Sequence, residues 1–83
     1  MALFTIILEY RKGTYIRQVR GASPISAWRK AVGQFDFLSP SAKRRLTNEA
    51  DPVVTVEGTK RVWCITASLR GGLALAHIIE TVE

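Results

Sequence analysis

At 83 residues the chain is long enough for one hydrophobic core and no second lobe, and a domain of this size buries only about 60–65% of its unfolded surface. An apolar fraction of 47%, with two Trp, two Tyr and three Phe, excludes intrinsic disorder, because such a chain can repay its ordering entropy. The formal charge of +5 is uneven: residues 1–45 carry nine basic side chains against two acidic, and the remainder carries three against five. That asymmetry suits a polyanionic partner, either nucleic acid or an acidic protein, as well as an ordinary solvated surface.

Cys64 is the one cysteine, which excludes an internal disulfide and a cysteine-based zinc site and suits a reducing, cytoplasmic setting. The apolar start, residues 2–8, has no basic stretch before it and no small-residue cleavage site after it. It reads as a strand rather than a signal peptide. No run approaches the roughly 20 apolar residues of a membrane span.

In the first run Phe4, Ile6, Leu8 and Tyr10 alternate with Leu3, Thr5, Ile7 and Glu9, the period of a strand with two unequal faces. Lys12-Gly13 is the expected two-residue turn, since Gly accepts the positive φ of a tight hairpin. That register sets Tyr10 opposite Tyr15, Leu8 beside Arg17 and Ile6 beside Val19. Ser23-Pro24 then starts a helix, with a capping hydroxyl followed by a proline suited to the first turn. Ile25, Trp28, Val32 and Phe35 recur at helical spacing, with Trp28 as the central anchor.

Ser39-Pro40 repeats the start signal. Residues 41–49 read as a short helix with Ala42 and Leu46 inward, a loosely held element that Asp51-Pro52 should stop. From Val53 the chain returns to β: VVTVE, a Gly58-Thr59 turn, RVWCITASL, a turn at Arg70-Gly71-Gly72, and a final strand over residues 73–82. A helix is the other reading of that last segment, because Leu, Ala and Ile suit one. The fold class is therefore α+β, an antiparallel sheet of four to five strands with two helices on one face. The order is β-β-α-α-β-β-β, within a single domain over residues 1–83.

Trp63, Ile65 and Leu69 fall on one face of the C-terminal hairpin, and Val62 and Cys64 on the other. Leu73, Leu75 and Ile79 likewise oppose Ala74, Ala76, Ile78 and Val82. Two short helices can cover only one face of such a sheet, so a second copy is expected on the other. Trp63, Ile65, Leu69 and Ile78 are the residues nominated for that dimer contact.

The segments 13–19 (GTYIRQV), 23–28 (the Ser-Pro start with its Trp) and 62–64 (VWC) resemble a group of small uncharacterised bacterial proteins. The resemblance implies an α+β fold and carries no activity. The β-β-α opening is also similar to antitoxin components of bacterial toxin–antitoxin pairs built on a partial double-stranded-RNA-binding fold. This chain has Arg-Gly-Ala-Ser-Pro where those carry acidic residues and a proline-glycine loop.

Catalytic chemistry has little to stand on. Cys64 and His77 would share a sheet face as diagonal neighbours if the Gly71-Gly72 turn is tight, and a thiolate–imidazolium pair is then conceivable. A buried Cys is more often a small hydrophobe, and nothing suggests an oxyanion hole. A metal site fails on ligand count. Arg70-Gly71-Gly72 precedes a strand, so it lacks the helix N-terminus of a phosphate loop. Arg17, Arg20, Arg29, Lys30, Lys43, Arg44 and Arg45 would line one edge made by the second strand and both helices. Counterion release there would drive nucleic-acid binding, with Tyr10 or Tyr15 stacking on bases. The sequence thus points to a non-enzymatic, dimeric binding or regulatory module without a small-molecule cofactor. Its alternative is a nucleic-acid-binding protein using that basic edge.

Overall fold

A computed structural model describes residues 1–49 and 54–81, the last two of the first segment by backbone alone. The expected stop at Asp51-Pro52, the strand start at Val53 and the position of Val82 lie outside the described residues. Five strands form one antiparallel sheet: β1 (Ala2–Tyr10), β2 (Gly13–Gly21), β3 (Val54–Thr55), β4 (Val62–Leu69) and β5 (Gly72–Thr81). Their order across the sheet is β2-β1-β5-β4-β3. Helices α1 (Pro24–Gln34) and α2 (Pro40–Arg44), the latter prolonged by a π-helical turn over Arg45–Glu49, lie between β2 and β3 in the chain. The α+β class and the element order are those expected, and the last segment is a strand.

Alternation does the sorting. Phe4, Ile6, Leu8, Val19, Ile65, Ala67, Leu69, Ala74, Ala76 and Ile78 are buried on the face beneath the helices. From above, Ala27, Trp28, Ala31, Val32 and Phe35 of α1 and its C-terminal cap meet them. Ile25, expected inward, is 38% exposed because it falls at the margin of that stripe, whose axis runs through Ala27, Ala31 and Phe35. Ser23 caps α1, its Oγ accepting from the Ser26 amide at 3.2 Å, and Ser39 caps α2 through the Ala42 amide at 3.1 Å.

The second helical segment is anchored where expected, at Leu46, with Ala42 partly buried against the core. Leu46 is 2% exposed, and the Trp28 indole N–H donates to its carbonyl at 2.9 Å, fastening the π-helical turn to α1. An aromatic side chain in one helix thus satisfies a backbone acceptor at the irregular end of the other.

The β1–β2 turn has the two-residue length expected but falls one residue earlier. Its central residues are Arg11 (φ 52°) and Lys12 (φ 65°), while Gly13 already pairs with Tyr10. Val19 accordingly faces Phe4, Arg17 faces Ile6 and Tyr15 faces Leu8, replacing the expected Tyr10–Tyr15 pair. The slip is two residues, so every side chain keeps its face. Gly13 serves a different need: the Tyr15 ring folds back over it, and a Cβ there would sit 2.5 Å from the Tyr15 hydroxyl. Both turn residues occupy left-handed backbone that favours Gly or Asn. Lys12→Gly is therefore expected to stabilise the chain by about 1 kcal/mol, read as a higher urea midpoint at unchanged slope.

Candidate functional site

The two long hairpins, β1–β2 and β4–β5, end side by side because β1 pairs with β5. Arg11 and Tyr10 lie over Gly71, where a Cβ would overlap the Arg11 guanidinium. The segment from Phe37 to Ala42 and the π-helical turn close over this end from the helical side. Together they enclose an open cleft of about 690 Å³. Tyr10, Tyr15, Phe37, Leu38 and Leu69 line it, with Arg11, Arg45 and Arg70 as its three cations, and no Asp or Glu is among the lining residues.

The rings, Arg11 and Arg45 are each held by an identifiable contact. Tyr15 and Phe37 stack at 4.0 Å between ring centroids, and Phe37, 45% exposed, also tilts against Phe35 at 5.7 Å. The Arg11 guanidinium sits 5.3 Å over the Tyr10 ring, a cation–π contact that leaves its edges to other partners. Arg45 reaches from the π-helical turn to the Ser68 carbonyl at 3.5 Å. Arg70 is the first residue of the β4–β5 turn and is exposed. Exposed cations in a concave, aromatic-walled site with no carboxylate among its described lining residues favour an anion carrying a flat apolar part.

The seven residues nominated for a basic edge divide. Arg17 turns onto the helix-covered face, its guanidinium 5.3 Å over the Phe35 ring and bonded to the Ile16 carbonyl at 2.8 Å. Lys30 Nζ donates to the Arg20 carbonyl at 2.7 Å, and Lys43 Nζ to the Gly33 carbonyl at 3.2 Å, so both ammonium groups tie elements together. Arg20, on the sheet face opposite the helices, reaches the Met1 carbonyl at 3.4 Å. Arg29 and Arg44 are exposed on the helices. Arg45 alone of the seven enters the cleft, where it meets Arg11 and Arg70, two residues the sequence reading passed over. Both stand in hairpin turns, and the only signal for them was a cation at the same end of two strand pairs.

The residues nominated for a dimer contact are placed otherwise than expected. Ile65, Leu69 and Ile78 are buried in the chain's own core, at 4%, 8% and 0% exposure. Trp63 packs beside them against Phe4, with ring centroids 6.1 Å apart. They share the parity of Ile6 and Leu8, and the helices cover that parity. The open face belongs to the other set. Across it run Ile16, Ile7, His77, Cys64 and Val54, strand by strand, with Ile79 and Val62 on one side and Leu75 on the other. Ile16 and Val54 are 54% and 59% exposed.

Cys64 and His77 face each other directly across β4 and β5 on this open side, closer than the diagonal expected, because the Arg70-Gly71 turn also slips by one pair. No hydrogen bond joins the thiol to the imidazole. No three His, Cys, Asp or Glu side chains converge among the described residues. Among those residues, too, no helix is long and apolar enough to cross a membrane. No family model, curated protein or solved structure matches the chain.

Proposed function

We propose that this protein is a non-enzymatic binding module that works as a homodimer in the cytoplasm, two copies stacking their open sheet faces and turning their helices outward. The observation that carries this reading is the second apolar face: Ile7, Ile16, Leu75, Ile79, Val62 and Val54 form a continuous patch that the chain's own helices do not reach. Four long strands about 4.8 Å apart and roughly 25 Å long, with the two-residue β3 at the edge, present a flat area of roughly 500 Å² per copy. A face-to-face pair then buries roughly 1,000 Å², the threshold for a biological interface.

A two-fold axis perpendicular to the strands would stack two copies with their strand directions reversed. Aligned sheet packing of this kind is the arrangement of β-sandwiches. The half-buried free thiol of Cys64 suits a reducing compartment.

With the sheets joined, the outer layers carry Arg29 and Arg44, which fits an anionic partner such as nucleic acid or an acidic protein. Light scattering at micromolar concentration should give twice the chain mass of 9.2 kDa. A single-chain mass across that range would remove the dimer from the reading.

A further inference from the structure

The geometry points to a nucleoside-phosphate site in the cleft between the two hairpin turns and the segment after α1, where Arg11 and Arg70 take the phosphate and the Tyr15–Phe37 stack takes the base. The site goes beyond the dimer reading and does not depend on it, since it opens at the end of the sheet on the helical side. Three features select this ligand class. Arg11 and Arg70 come from two separate turns yet line one concavity, and the described lining residues include no carboxylate, so their shared field favours an anion. Guanidinium groups offer paired donors that match phosphate oxygens, which a cluster of ammonium groups would not. The exposed Phe37 ring, backed by Tyr15 at 4.0 Å, is a flat platform already ordered before any base arrives.

The volume agrees with that choice. A cleft of about 690 Å³ is within the range of small-ligand sites and exceeds what a bare phosphate fills. A simple oxyanion would leave the aromatic wall wet, whereas a nucleotide covers both halves of the site. The same chemistry is offered by a free mononucleotide and by one unit of a single strand, whose neighbouring phosphates would run out through the open mouth. The glycines of Arg70-Gly71-Gly72 serve the site by absence: the bare Gly71 leaves the space in which Arg11 lies.

Isothermal titration calorimetry at low salt with adenosine monophosphate, inorganic phosphate and a single-stranded oligothymidylate of about 12 nucleotides tests the site. Saturable binding of the mononucleotide, competed by phosphate, identifies a free nucleotide as the ligand; binding of the oligonucleotide alone identifies a strand. In either case Arg11→Asn with Arg70→Ala should weaken binding about tenfold or more. For the oligonucleotide the double variant should also lower the salt dependence by about two ion equivalents. Asn accepts the left-handed turn backbone and Arg70 is exposed, so circular dichroism should report an intact fold. Phe37→Ala should cost about fivefold or more towards the nucleotide or strand and leave inorganic phosphate unaffected. Absence of binding by all three probes, or undiminished binding by the folded double variant, overturns the site. Light scattering on the same samples reports the oligomeric state separately, so loss of the dimer and loss of the site are told apart.

Discussion

Trp28→Ala is expected to remove about 3–5 kcal/mol of the protein's stability, a large share of the total. Trp28 is 1% exposed and stands at the meeting point of α1, the sheet and the π-helical turn. Truncating a buried Trp costs about 3–5 kcal/mol through lost burial and the cavity that remains. The total stability of a domain this size is roughly 4–12 kcal/mol. The substitution also removes the donor for the Leu46 carbonyl, so the π-helical turn loses its fastening to α1 along with its packing. Trp28→Phe keeps one six-membered aromatic ring in the core and loses the N–H together with the five-membered part of the indole. It should cost at least about 1–3 kcal/mol, the penalty of a buried acceptor left without a partner. Urea unfolding at one fixed protein concentration measures both variants. A Trp28→Ala chain that keeps its parent's midpoint would show that α1 is not anchored through this residue.

A second contrast uses two adjacent isoleucines with opposite fates. Ile6 is 0% exposed, between Arg17 and Ile78 under the helices, and Ile7 faces the open side between Ile16 and His77. Ile6→Asp places a carboxylate in the core beside Phe4, Leu8 and Ile78, a change of more than about 4 kcal/mol that should abolish folding. Ile7→Asp leaves that core untouched. Its carboxylates would fall near the two-fold axis of a stacked pair, desolvated and facing each other, and the dimer should dissociate into folded single chains. Circular dichroism and light scattering together read the outcome. A folded, dimeric Ile7→Asp would show that the open face is not where copies meet.

These contrasts rest on parity, and parity was the most legible property of the chain. Alternation along residues 3–10, 62–69 and 73–79 sorts side chains by face, because successive residues of a strand point to opposite sides. The observed turns slip each long hairpin by one pair relative to expectation, yet a two-residue slip moves no side chain from one face to the other. The helix starts at Ser23 and Ser39 were equally legible, since a cap is a bond between residues three apart. The turn itself was not: Gly13 suggested a positive φ at that position, whereas its small size serves the Tyr15 ring.

Local rules therefore determined the class, the element order, the two face sets and the helix caps, all from interactions spanning a few residues. Which face set became the core was decided only when α1 and the π-helical turn packed down, covering the parity of Ile6, Ile65 and Ile78 and leaving that of Ile7, Cys64 and Ile79 open. The meeting of Arg11, Arg45 and Arg70 was likewise a tertiary outcome. It follows from the pairing of β1 with β5, strands whose partners lie about 70 residues apart in the chain, and from a helical segment folding back over their shared end. No periodicity in the sequence encodes such a closure, because its free energy comes from burying the whole face at once rather than from any one neighbouring pair.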